Sequence, residues 1–166
     1  MDARYRLPGI FAISPTDPNR VYASVINSNN LFGSGGSGSG IFMTKTALTN
    51  GGHWYEIGPG GSAAFDPYFS AFDQSNYDNT LAVAPDNEME LILGGTTFFQ
   101  WLGTSTNDTI GSWTKISHYN GGAQDPLYIH PDEHAIVFDQ NNPNVVYFGC
   151  DGGLYKSYKS NRKYNI

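Results

Sequence analysis

HPDEHAIVFDQNNPNVVYFGCDGGLYKS, residues 130–157, decides how this chain is read. Within it an apolar run (135–138) gives way to a polar turn (139–144), a second apolar run (145–148), an Asp-Gly-Gly turn (151–153) and a third strand-like run from Leu154. β-Branched and aromatic residues in strand-length runs suit a pleated, half-buried surface, while Asn, Asp, Pro and Gly bend the backbone between them. The stretch therefore predicts a tightly turning antiparallel sheet.

The same pattern occurs twice more upstream. IFAISPTDPNRVYASV (10–25), TLAVAPDNEMELILGG (80–95) and HAIVFDQNNPNVVYFG (134–149) each run strand, polar turn, strand. Pro15, Pro85 and Gln140 occupy equivalent places, at offsets of 70 and 55 residues, so the period is irregular and the copies carry insertions. Each copy continues into a third strand (40–44, 97–102, 153–157) and a fourth that opens at an aromatic (54–57, 113–116, 164–166). Four short antiparallel strands per repeat is the build of one β-propeller blade. The expected fold is all-β, with blade-like repeats at 8–62, 78–118 and 130–166 and insertion loops at 27–40, 58–79 and 118–130. About three blades are too few to close a ring, for which roughly four to eight are typical. The chain is therefore expected to be part of a larger propeller, completed by the remaining blades of a parent protein or by self-association.

Composition agrees with a turn-rich β protein. Of 166 residues 20 are Gly, and charged residues make up only 14%, where a helical bundle would be rich in Ala, Leu, Glu and Lys. The formal net charge is −6, and the largest basic group, Lys156, Lys159, Arg162 and Lys163, reads as a solvated strand end. A nucleic-acid partner, which needs a basic footprint, is not expected. No apolar run approaches the ~18 residues of a membrane-crossing helix. Cys150 is the single cysteine, so no internal disulfide can form, and its place beside a turn suits a small buried strand-end residue better than a nucleophile. Met1 leads straight into a strand-like run with no leader pattern, which leaves a cytoplasmic protein or a piece of a larger one; the repeats favour the piece.

Candidate functional positions fall into three groups. The turns before the fourth strands, 48–54 and 105–113, place Asn50, Gly51 and Trp54, and Asn107 and Trp113, in the order of an Asp-box hairpin. There an Asx side chain bonds turn N–H groups, Gly supplies positive φ and Trp packs back over the hairpin. These residues are structural, as are Asp151, Gly152 and Gly153 in the later turn. The segment 63–79 mixes aromatics with carboxylates, and Tyr68, Phe69, Asp73, Tyr77 and Asp78 would suit a sugar-binding platform or a cover over the sheet edge. Finally, Pro131 and the β-branched run after it argue against a helix at 130–134. On an extended segment His130, Asp132 and His134 would share one side, with Glu133 opposite. That trio would hold a divalent metal such as zinc or calcium, or else bond neighbouring backbones; no other cofactor is expected. Glycoside hydrolysis needs two carboxylates about 5 to 9.5 Å apart. Asp73, Asp78, Asp132 and Asp151 are the candidates, none fixed by spacing.

These residues carry a family resemblance. The chain resembles the Asp-box (BNR-type) β-propeller repeats of large secreted bacterial proteins, related to sortilin-type ectodomains and to xyloglucan-cleaving hydrolases with tandem propellers. Gln74-Ser75-Asn76-Tyr77-Asp78 before LAVAP is similar to the Gln-x-x-Tyr-Asp lead-in of a blade. Residues 130–136 resemble the His-x-Asp-x-His-Ala segment, and residues 149–157 the Gly-Asn-Asp-Gly-Gly-Leu-Tyr-x-Ser turn, with Cys150 where Asn or Thr is usual. The resemblance implies a propeller in a secreted or cell-surface setting. The leading expectation is a non-catalytic module for protein or glycan binding or for structural assembly, and the alternative is part of a tandem-propeller glycoside hydrolase. The fold itself implies no single activity.

Overall fold

A computed structural model describes residues 9–25, 40–49, 52–58, 77–104, 107–160 and 163–165. They form three four-stranded antiparallel sheets, each with its strands in chain order. The first holds β1 (Gly9–Ile13), β2 (Val21–Val25), β3 (Gly40–Thr44) and β4 (Tyr55–Glu56). The second holds β5 (Thr80–Ala84), β6 (Asn87–Gly94), β7 (Phe98–Thr104) and β8 (Asn107–Lys115). The third holds β9 (Glu133–Phe138), β10 (Val145–Cys150), β11 (Gly153–Ser160) and β12 (Lys163–Asn165). The helical content among the described residues is one 3-10 turn, Gly122–Gln124.

Short polar side chains close the first hairpin of each sheet. Ser14 Oγ accepts the N–H groups of Thr16 and Asp17, Asn87 Oδ1 that of Met89, and Asp139 Oδ1 those of Asn141 and Asn142. Each bond satisfies a backbone donor that the bend takes out of the ladder. The second sheet departs from the expected long turn at 105–113. Strand pairing resumes at Asn107, opposite Thr104, after a register shift, and Gly103 faces Gly111. Both glycines lie under the Trp101 ring, and a Cβ at Gly111 would come within 2.5 Å of it.

Packing places the second sheet in the middle. Its Leu81, Val83, Leu91, Leu93, Phe99 and Trp101 meet Tyr22, Ile41 and Met43 of the first sheet. Its Ile92 and Phe98, with Ile116 just beyond β8, meet Val146, Phe148 and Tyr164 of the third. Alternate residues of a strand face opposite sides, so a strand covered on both faces is apolar throughout. That explains Leu91-Ile92-Leu93, all at most 1% exposed. Polar bonds tie the stack as well. Tyr22 Oη donates to the Glu88 carbonyl at 2.6 Å. Trp113 Nε1 donates to the Ile57 carbonyl at 2.8 Å, so this Trp reaches the neighbouring sheet. Trp54 is 41% exposed. Between the second and third sheets, Lys159 Nζ lies 3.2 Å from Glu90 Oε2 and 2.9 Å from Asp86 Oδ1, and Tyr164 Oη donates to Glu90 Oε1. The leading strands are neighbours too: β5 lies against β1 and against β9.

Candidate binding site

The approach of β5 to β9 gathers the polar residues at the start of both strands. Tyr77 and Asp78 precede β5, Asp132 precedes β9, Glu133 and His134 begin it, and Asp151 occupies the β10–β11 turn. Asp132 has φ 70, a left-handed conformation uncommon for a residue with a Cβ. This breaks the extended alternation on which a shared side for His130, Asp132 and His134 depends. Asp132 instead hydrogen-bonds Asp78. His134 Nε2 donates to Asp151 Oδ1 at 2.8 Å. His130 packs on Gly152, where a Cβ would stand 2.2 Å from its own Cβ, and its Nδ1 lies 3.0 Å from the Pro131 carbonyl. The structure thus divides the trio among three partners. Among the described residues no group of three or more His, Cys, Asp or Glu is placed to hold a metal ion.

The Asp-Gly-Gly turn uses each residue differently. Gly153 supplies φ 123, Gly152 makes room for His130, and the Asp151 N–H donates to the Asp132 carbonyl at 3.2 Å. The Asp151 side chain, expected to serve its own turn, takes the His134 N–H and the Tyr77 hydroxyl, the latter at 3.1 Å. Tyr77 and His134 meet edge to face with ring centroids 4.8 Å apart. The His134 hydrogen bond, then that of Tyr77, hold the Asp151 carboxyl below its usual range. The hydrogen bond to Asp151 raises the Tyr77 hydroxyl.

Beneath this exposed group lie two buried acids. Asp78 is 0% exposed, and burial, then the charge of Asp132 and their mutual hydrogen bond, push it up to about 7. A hydrogen bond between two carboxyls requires one proton shared by the pair, since like charges that close do not both ionise. Glu133 is also 0% exposed, and neither of its carboxyl oxygens has a hydrogen-bond partner among the described residues. Burial first, then the charges of Asp132 and Asp78, push it up to about 9. Its backbone N–H donates to the Gly95 carbonyl at 2.8 Å, and Gly94 leaves space for its side chain.

The sequence marks Tyr77 and Asp78 as glycan-facing, Asp132 and His134 as metal-ligating and Asp151 as a turn former, with Asp78, Asp132 and Asp151 also among the candidate carboxylates for glycoside hydrolysis, and it assigns no role to Glu133 on the extended segment. The available signal was a Glu at the head of an apolar strand, where a carboxyl has to be neutral or paired. Tyr68, Phe69, Asp73, Asn50 and Gly51 lie outside the described residues. Chemically, the arrangement offers an exposed aromatic ring beside an ionised acceptor, above protonated acids that water does not reach. No protein-family model and no curated protein matches this chain.

Proposed function

We propose that this chain is a non-catalytic segment of a β-propeller, from a secreted or cell-surface protein, that binds a glycan at the rim formed by Tyr77, His134 and Asp151. The observation that carries the reading is the geometry of that rim. Tyr77 is 57% exposed, its ring is braced by His134, and Asp151 beside it is an ionised acceptor. A sugar presents C–H faces to an aromatic ring and hydroxyl donors to a carboxylate, so the pair suits it. The propeller reading is supported by three chain-ordered sheets whose leading strands are neighbours, as inner strands are around an axis. The secreted setting rests on the family resemblance alone.

A second reading, a glycoside hydrolase, draws support from Asp78. A carboxyl that keeps its proton to about 7 beside ionised neighbours is the profile of a general acid. Its complete burial weighs against this, because a general acid has to come within hydrogen-bond reach of the leaving oxygen. A glycan array with the wild type, Tyr77→Ala and Asp151→Asn tests the first reading. Both variants should lose roughly tenfold or more in affinity. Absence of any bound glycan refutes it. Polysaccharide turnover that disappears in Asp78→Asn would establish the hydrolase instead.

A further inference from the structure

Each strand presents alternate side chains to opposite faces, so the register assigns every sheet two distinct faces. In the first sheet Ala12 and Tyr22 share one face, with Met43, and Phe11 and Ala23 share the other. The repeat offsets of 70 and 55 residues make Phe11 equivalent to Leu81 and Ile136, and Ile13 equivalent to Val83 and Phe138. In the second sheet this face packs on the first sheet, and in the third it packs on the second. In the first sheet it is open along β1, where Phe11 is 64% and Ile13 61% exposed, while Ala23 and Thr44 on the same face of β2 and β3 are buried.

The opposite face shows the reverse. Tyr22 of the first sheet and Ile92 of the second are equivalent and fully buried against the next sheet. Their counterpart in the third sheet is Tyr147, paired with Val137 and Lys156. On that face Val137, Leu154 and Tyr158 are 57%, 74% and 53% exposed. The two ends of the stack are therefore the two halves of one contact, which the chain already makes twice internally.

We propose that the open face of the third sheet docks on the open face of the first sheet of a second copy, head to tail. With three sheets among the described residues of each copy, two copies would bring together six, inside the roughly four to eight that close a ring. The contact is heterologous, and a heterologous contact makes a closed ring where the rotation between units closes and a filament where it does not, so a defined mass of two copies is the result the docking requires. A specific bond follows from the offsets. Tyr22 Oη donates to the Glu88 carbonyl of the next sheet, so Tyr147 should donate to the Pro18 carbonyl of the second copy. Lys156, whose Nζ stands 5.6 Å from the Tyr147 ring centre, has to move aside to allow this.

The proposal rests on the propeller reading above, and sedimentation equilibrium of the full chain tests it separately. The wild type should reach the mass of two copies at micromolar concentration. Ile13→Asp and Leu154→Asp, both at exposed positions and checked for unchanged circular dichroism, should each weaken association by roughly tenfold or more. An equimolar mixture of the two variants keeps one intact contact and should associate better than either alone. A wild type that stays single at every concentration overturns the docking, as does association indifferent to both substitutions. A mixture no better than its components overturns the head-to-tail geometry. A single-copy wild type that still binds glycan through Tyr77 would leave the proposed function standing.

Discussion

Glu133→Gln should remove most of the stability that this protein loses as pH rises. The acid is fully buried and holds its proton up to about 9. In the unfolded chain a Glu releases its proton near about 4.3. Its folded value is raised, so the native state binds a proton that the unfolded state has lost throughout that interval. Stability is then full below about pH 4 and falls as pH climbs, by about 1.4 kcal/mol per unit for one retained proton. From pH 5 to pH 8 this comes to about 4 kcal/mol, a large share of the roughly 5 to 15 kcal/mol that holds a domain folded. Asp78, pushed up to about 7, acts in the same direction between about pH 4 and pH 7. Part of its shift is repulsion shared with the other acids of the cluster, so the two contributions do not simply add. Asp151 and Asp125 have lowered values, and their contribution is lost only as pH falls below about 4, outside the window. Gln has the size of a protonated Glu and cannot ionise. Urea unfolding at pH 5, 6, 7 and 8 measures the effect. The variant should match the wild type near pH 5 and exceed it by several kcal/mol at pH 8, roughly 4 at most. Parallel pH profiles for the two proteins, or a wild type that gains stability from pH 5 to pH 8, would refute the account of a protonated interior acid.

Two further substitutions probe how the sheets are joined. Lys159→Met strands Glu90, which is 1% exposed, without its cation, and should cost about 3 to 5 kcal/mol in urea unfolding, much of it recovered when Glu90→Gln is added. Gly152→Ala drives a Cβ to within 2.2 Å of the His130 Cβ, so it should lower stability by about 1 to 3 kcal/mol and shift the His130 and Asp151 resonances in NMR.

The sheets were legible because their cause is local. Runs such as Val145-Val146-Tyr147-Phe148 fit a pleated surface, and Asp139 or Ser14 captures turn N–H groups two or three residues away. These interactions span a few residues, so the pattern expresses them directly. The site was legible only as a set of separate residues. Tyr77 and Asp151 lie 74 positions apart, and nothing local marks them as partners. The metal-like spacing at 130–134 assumed regular alternation, which one left-handed residue, Asp132, undoes. Trp113 was placed over its own hairpin, yet its N–H finds an acceptor on another sheet.

Most strand positions, antiparallel pairing and the number of sheets came from the order of residues alone, because hydrophobic alternation and turn chemistry act between near neighbours; the early start of β8 at Asn107 did not. Which acids meet, and which of them keep a proton, depended on β5 coming to rest against β9. Desolvation and charge repulsion act through space, across segments that no sequence spacing relates. The same holds for Phe11 and Ile13 in the first sheet and Val137 and Leu154 in the third: they are apolar in the sequence like residues of every other strand, and only the arrangement of sheets shows that they are exposed.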